Sequence, residues 1–116
     1  MKSVLTALVA YLVCCQVQAG VTTLEKYQEV QKAGGSNWTD LRLYVTGLGD
    51  GIMIANAKSH AENGKYLFCV PPKLPLGIEN YTGMIDGMAR DYPGKLEQVE
   101  IGPILMRAFM LTFPCE

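Results

Sequence analysis

Apolar residues recur along most of this chain at spacings of three and four rather than two, the pattern of amphipathic helices. Leu24, Tyr27 and Val30 or Gln31 mark the first, running from Thr22-Thr23-Leu24-Glu25 to a stop at Gly34-Gly35. The Thr-x-x-Glu spacing predicts a capping box, with the Thr22 side chain bonded at the Glu25 backbone and Glu25 reaching back. Ser36 or Asn37 is placed to cap a longer second helix, whose stripe is Leu41, Tyr44, Val45, Leu48, Ile52 and Ala55. That helix is expected to end near Asn63-Gly64, where glycine accepts a left-handed C-terminal cap. Residues 65–76 contain Pro71, Pro72 and Pro75, which remove donors and push their predecessors toward extended geometry, so they read as a central loop. Ile78, Tyr81, Met84 or Ile85 and Met88 predict a third helix from about Leu76 to Asp91, closed by Tyr92-Pro93-Gly94. The last covers Ile104 to Thr112, with Pro103 in its first turn, where a missing N–H costs nothing. Lys95 to Gly102 reads as a connector or a short helical turn. No segment alternates with period two for long enough to form a sheet, so the expected fold is a small all-α single domain, a bundle of about four helices.

The N-terminus changes how this domain is read. Lys2, the apolar run from Val4 to Cys15 and the small residues of Val17-Gln18-Ala19 form a secretory signal over residues 1–19, leaving a mature domain at 20–116. Crossing a bilayer takes about 20 apolar residues, and Gln16 and Gln18 interrupt this run too early. Acylation of Cys14 or Cys15 is disfavoured, because neither follows a small residue. Export brings cysteines into an oxidising compartment, where they pair. With Cys14 and Cys15 gone, Cys69 and Cys115 remain as one pair. Closing so long a loop is worth on the order of 4 kcal/mol in the chain-entropy model. No Cys-x-x-Cys spacing and no second histidine argues for a redox or metal centre instead.

Charge excludes one class of partner. The chain has ten Lys and Arg against eleven Asp and Glu, with the signs mixed along its length. A phosphate-binding surface needs a basic excess, so nucleic acid is not expected. Catalysis finds no support either. His60 is the lone histidine, both mature cysteines are committed to each other, and no serine sits in a glycine-flanked elbow. Asp86 and Asp91 are spaced as on a solvated helix face. No cofactor and no metal are expected. Asn37-Trp38-Thr39 and Asn80-Tyr81-Thr82 match a glycosylation sequon too short to decide anything.

Gly47-Leu48-Gly49-Asp50-Gly51 looks like a phosphate loop, but no strand precedes it and it lies inside a helical pattern. Each interior glycine costs about 0.5 to 1 kcal/mol relative to alanine. Gly47, Gly49 and Gly51 are therefore expected to mark close packing of another helix or of a second subunit. Asp50 beside them, and Asn56 further on, stay open between an anchoring role and a solvated face. Trp38 reads as a core anchor or an interface anchor.

Taken together, Tyr44-Val45-Thr46-Gly47-Leu48-Gly49-Asp50-Gly51, Ala55-Asn56-Ala57, Gly64, Cys69-Val70-Pro71-Pro72, Tyr92-Pro93, Ala108-Phe109 and Phe113-Pro114-Cys115 resemble the Rap/Tai immunity proteins of type VI secretion. The likeness runs from about Leu41 to Cys115, with the motifs in the family's order. The chain departs at Gly102-Pro103, where the family more often has a continuous Ala-rich helix. The resemblance implies a periplasmic, non-enzymatic homodimer, held by a Cys69 to Cys115 disulfide, that binds a peptidoglycan amidase toxin and blocks its cleft. The central loop and the start of the third helix are the expected presenting element, with Lys73, Leu74, Glu79 and Asn80 as contacts. The competing expectation is a small periplasmic helical chaperone of the acid-stress kind.

Overall fold

The computed structural model describes residues 22–116, and the expected leader at 1–19 lies outside them. Four helices occur among the described residues: α1 (Leu24–Ala33), α2 (Gly35–Asn63), α3 (Ile78–Asp91) and α4 (Ile101–Thr112). The fold is all-α, and one disulfide, Cys69–Cys115, joins the α2–α3 loop to the residues after α4.

The start of α1 differs from the expected capping box. Thr23 is the N-cap, its Oγ1 accepting from the Lys26 N–H at 3.3 Å. The Leu24 and Glu25 N–H groups donate to the carbonyls of Val99 and Glu97, and the Thr22 carbonyl accepts from the Ile101 N–H. The orphan donors of the first turn are thus satisfied by the connector before α4, which leaves Glu25 free to accept from Gln98 at 2.9 Å. Gly34 and Gly35 both hold positive φ, 68° and 72°, a conformation that favours glycine. They end α1 and open α2 at once, so Gly34 rather than Ser36 or Asn37 is the N-cap of α2. At the other end Gly64 closes α2 in the left-handed conformation, its N–H on the His60 carbonyl at 2.8 Å, as the sequence leads one to expect.

The core lies between α3 and α4, with α1 and α2 packed against it. Tyr81, Ile85 and Met88 project inward from α3 at helical spacing and meet Ile101, Ile104, Leu105, Ala108 and Phe109 of α4. Because Ile101 is fully buried, α4 begins there rather than at Ile104. Pro103 still falls in the first turn, where no donor is missed. Trp38 is half-buried against the core, edge-on to Tyr27 with ring centroids 5.6 Å apart.

Gly49 is where α2 and α3 come closest. A Cβ built there would stand 2.3 Å from Cε2 of Tyr81, so only glycine admits the ring. Tyr81 then donates its hydroxyl to Asp50 Oδ1 at 2.9 Å, which resolves Asp50 as an inter-helix anchor. A second tyrosine repeats the device between α1 and α3. Tyr27 donates to Asp86 Oδ1 at 3.1 Å, and Gln31 Nε2 donates to Asp86 Oδ2 at 3.2 Å. Asp86 is therefore a half-buried acceptor and not part of a solvated face with Asp91, a correction that only the packing of α1 could supply. Burial above all, then the bond to Asp50 and its charge, pushes Tyr81 up to about 12. Burial, then the Asp86 charge, raises Tyr27 as well.

Two outcomes are expected. Gly49→Ala forces the Tyr81 ring aside and lowers stability by about 1 to 3 kcal/mol. Gly83→Ala, at an α3 position with open space around it, raises stability by roughly 0.5 to 1 kcal/mol; urea denaturation compares the two. Separately, the folded chain keeps both phenol protons at a pH where an unfolded tyrosine, pKa about 10, has lost them. Stability should be level below about pH 9 and fall as pH rises from about 10 toward 12. Melting curves across that range show the fall, and the Tyr27→Phe/Tyr81→Phe double variant should flatten it.

Candidate partner-binding site

Residues 64–77 carry no regular secondary structure, so their backbone polar groups need partners from elsewhere. Asn56 supplies several. Only 6% exposed on α2, it accepts from the Leu67 N–H at 2.7 Å and the Phe68 N–H at 3.2 Å, and its Nδ2 donates to the Phe68 carbonyl at 2.9 Å. The amide group suits this work because it carries both an acceptor and a donor. Asn56 is thus a loop clamp, and the solvated alternative is ruled out. Phe68 follows into the core and stacks on Phe109 of α4, with centroids 4.7 Å apart. One residue on, Cys69 is bonded to Cys115, and its N–H donates to the Phe113 carbonyl at 2.7 Å. Within three successive residues the loop is tied to α2, to α4 and to the chain beyond α4.

Past these ties the chain turns outward. The Leu74 N–H donates to the Pro71 carbonyl at 3.3 Å, closing a four-residue turn with Pro72 and Lys73 at its centre. Pro72 sets the φ that the second position requires. Lys73 occupies the third with φ 72°, where glycine or asparagine is the ordinary choice. An L residue in that conformation costs about 1 to 2 kcal/mol. The two prolines before it and Pro75 after it hold the tip in place. Lys73 and Leu74 are both exposed.

Glu79 and Asn80 have duties inside the chain. Asn80 Oδ1 accepts from the Gly77 N–H at 2.9 Å and so caps α3. The exposed Glu79 carboxylate pairs with Arg42 of α2. Both nonetheless line, with Leu74, Met84 and Leu111, an open groove of about 620 Å³ between the loop, α3 and α4. Gly83 and Gly87 form part of its wall, and Asp91 adds a second carboxylate toward the far end of α3. The four expected contact residues therefore share one region, a basic tip beside an apolar groove with acidic groups on its wall. Sequence reasoning missed the groove's α4 side, Ala108 and Leu111 to Phe113, because nothing local ties those positions to α3.

Of the three glycines in the 47–51 run, only Gly49 faces another of the described residues. Gly47 and Gly51 meet nothing within 4 Å among them, so packing within the described residues does not account for these two. His60, beside the C-terminus of α2, stacks on Tyr66 at 3.9 Å and lies exposed. Among the described residues no group of three or more His, Cys, Asp or Glu side chains is placed to hold a metal ion, and no helix is long and apolar enough to cross a membrane. Comparison with protein-family models, curated proteins and solved structures finds no match to this chain.

The two ties on the loop should separate experimentally. Cys115→Ser removes the covalent closure, costing up to about 4 kcal/mol in the chain-entropy model. Hydrogen exchange should then accelerate at the Cys69 N–H, which leans on Phe113, while the Phe68 N–H stays protected by Asn56. Asn56→Ala reverses the pattern and leaves buried backbone groups of Phe68 unpaired, a loss of about 2 to 4 kcal/mol.

Proposed function

We propose that this chain is an exported immunity protein that binds a type VI secretion peptidoglycan amidase and occludes its substrate cleft, protecting the producing cell or its kin in the periplasm. It is not an enzyme in this reading. The observation that carries it is the proline turn at residues 71–74, a solvent-facing tip whose strained Lys73 backbone is held by an anchored loop. Residues in sparsely populated backbone regions persist where surrounding structure over-determines them, and they cluster at binding sites. A tip fixed in advance loses little chain entropy on docking, so contact energy goes into affinity. The motifs that resemble those of the Rap/Tai proteins, Cys69-Val70-Pro71-Pro72 and Phe113-Pro114-Cys115, are the segments joined by the disulfide next to this tip.

Three features of this region support occlusion. Lys73 offers a cation at the tip, Leu74 and the groove offer apolar surface, and Glu79 stands on the groove wall. An amidase of this class cleaves peptide bonds, so its cleft is shaped for extended backbone. A proline-stiffened segment can fill such a cleft without itself presenting a flexible, cleavable strand.

The test uses a type VI secretion peptidoglycan amidase, sought first in the reading frame beside the gene, and the cleavage of peptidoglycan fragments. Lys73→Gly should stabilise the free protein by about 1 kcal/mol, because glycine relieves the left-handed strain, while weakening amidase inhibition at least tenfold. Leu74→Asp should weaken inhibition without changing the melting temperature. Full inhibition by both variants, or no inhibition by the parent protein, would sink the proposal.

A further inference from the structure

Among the described residues, nothing covers the outer face of α2. Val45, Gly49 and Asn56 are buried on the inner side of that helix, yet the opposite side is not polar. Leu43 and Ile54 point outward there with 69% and 70% of their surface exposed, the highest values among the exposed large hydrophobic side chains. Gly47 lies between them with open space around it. A surface helix normally keeps its outer face polar, and α2 has almost no net amphipathicity because both of its faces carry apolar residues.

These outward positions follow a rule. From Ser36 through Asp40, Leu43, Gly47, Asp50 and Ile54 to Ala61 they advance in alternating steps of four and three, the spacing of a helix-pairing seam. Reversed and laid against itself, the seam is self-complementary. Leu43 meets Ile54 of a second copy, Gly47 meets Asp50, and Asp40 meets Ala57, all in the same register. The adjoining Lys58 of the second copy then faces Asp40. Among the described residues Lys58 pairs only with the exposed Glu62, an attachment worth little in water. Asp50, already turned toward the Tyr81 hydroxyl, is the polar layer at the centre, and the glycine opposite leaves it room. A parallel pairing would set Asp40 against Asp40 and Lys58 against Lys58.

We infer that α2 is the dimerisation helix, and that two copies of this chain pair through its outer face in antiparallel register centred between Gly47 and Asp50. This deepens the homodimer implied by the family resemblance by naming the face and its register. It does not depend on what the proline turn binds. It also gives a reason for the glycine at 47, which no contact among the described residues explains. Because Leu43, Gly47 and Ile54 lie on the side of α2 away from Asn56, with Asp50 meeting the Tyr81 hydroxyl from the edge of the seam, pairing leaves the loop clamp undisturbed.

Two measurements test the inference. Light scattering after size exclusion should give the purified protein twice the mass of one chain, and Leu43→Arg the mass of one, with the helical circular dichroism of both the same. In the Leu43→Cys/Ile54→Cys double variant, mild oxidation should give a covalent dimer on a non-reducing gel. Within one helix those two sites are about 16 Å apart, too far to bond each other. Neither single cysteine variant should cross-link, because each then faces an unsubstituted residue. A monomeric parent, a Leu43→Arg variant that stays dimeric, or cross-linking by Leu43→Cys alone overturns the inference. Amidase inhibition measured on the Leu43→Arg monomer reads the turn separately, so the two proposals can fail independently.

Discussion

The irregular chain between α2 and α3 depends on one side chain, Asn56, accepting and donating at the backbone of Leu67 and Phe68. Without a partner of that kind a buried loop leaves polar backbone in an apolar setting, which protein structures almost never tolerate. Once the amide is in place, Phe68 can enter the core against Phe109, and Cys69 arrives beside Cys115. The covalent bond then closes a geometry that hydrogen bonding and packing have already set. Lys73 is held at positive φ only because both approaches to the turn are fixed.

Two tyrosine hydroxyls do for the helices what Asn56 does for the loop. Tyr27 links α1 to α3 through Asp86, and Tyr81 links α3 to α2 through Asp50. Each ring is buried while its hydroxyl reaches a carboxylate at the edge of the core. Such pairs are directional where hydrophobic contact is not, so they fix rotation and height as well as proximity. The need for Gly49 follows from the second of these, since the ring that delivers the Tyr81 hydroxyl must lie against the α2 backbone.

What could be read from the sequence was the part that local patterning controls. The inward stripe of α3 through Tyr81, Ile85 and Met88, the glycine stops at Gly34-Gly35 and Gly64, and the Cys69 to Cys115 pair all follow from spacing, backbone freedom and the setting aside of Cys14 and Cys15 with the expected leader. The misses share one cause, a partner distant in the chain. Thr22 loses the capping role because the connector near Val99 supplies acceptors to α1. Asp86 looks solvated until Tyr27 is brought to it, and Asn56 looks like any polar helix residue until Phe68 returns beneath it. Of the four expected contacts, Lys73 and Leu74 lie in the central loop that the prolines predict, and the structure adds that this stretch is an exposed turn. Glu79 and Asn80 reach the groove but also serve Arg42 and Gly77, a division of labour no periodicity reveals.

The placement of Trp38 has a consequence for anyone following this protein by its optical signals. Its indole sits edge-on to Tyr27 where α1 meets α2, while Asn56 and the loop lie near the other end of the same helix, roughly 27 Å away along its axis. Intrinsic fluorescence, dominated by the sole tryptophan in the sequence, therefore reports on the α1–α2 junction. Events at the disulfide and the proline turn take place beyond its view.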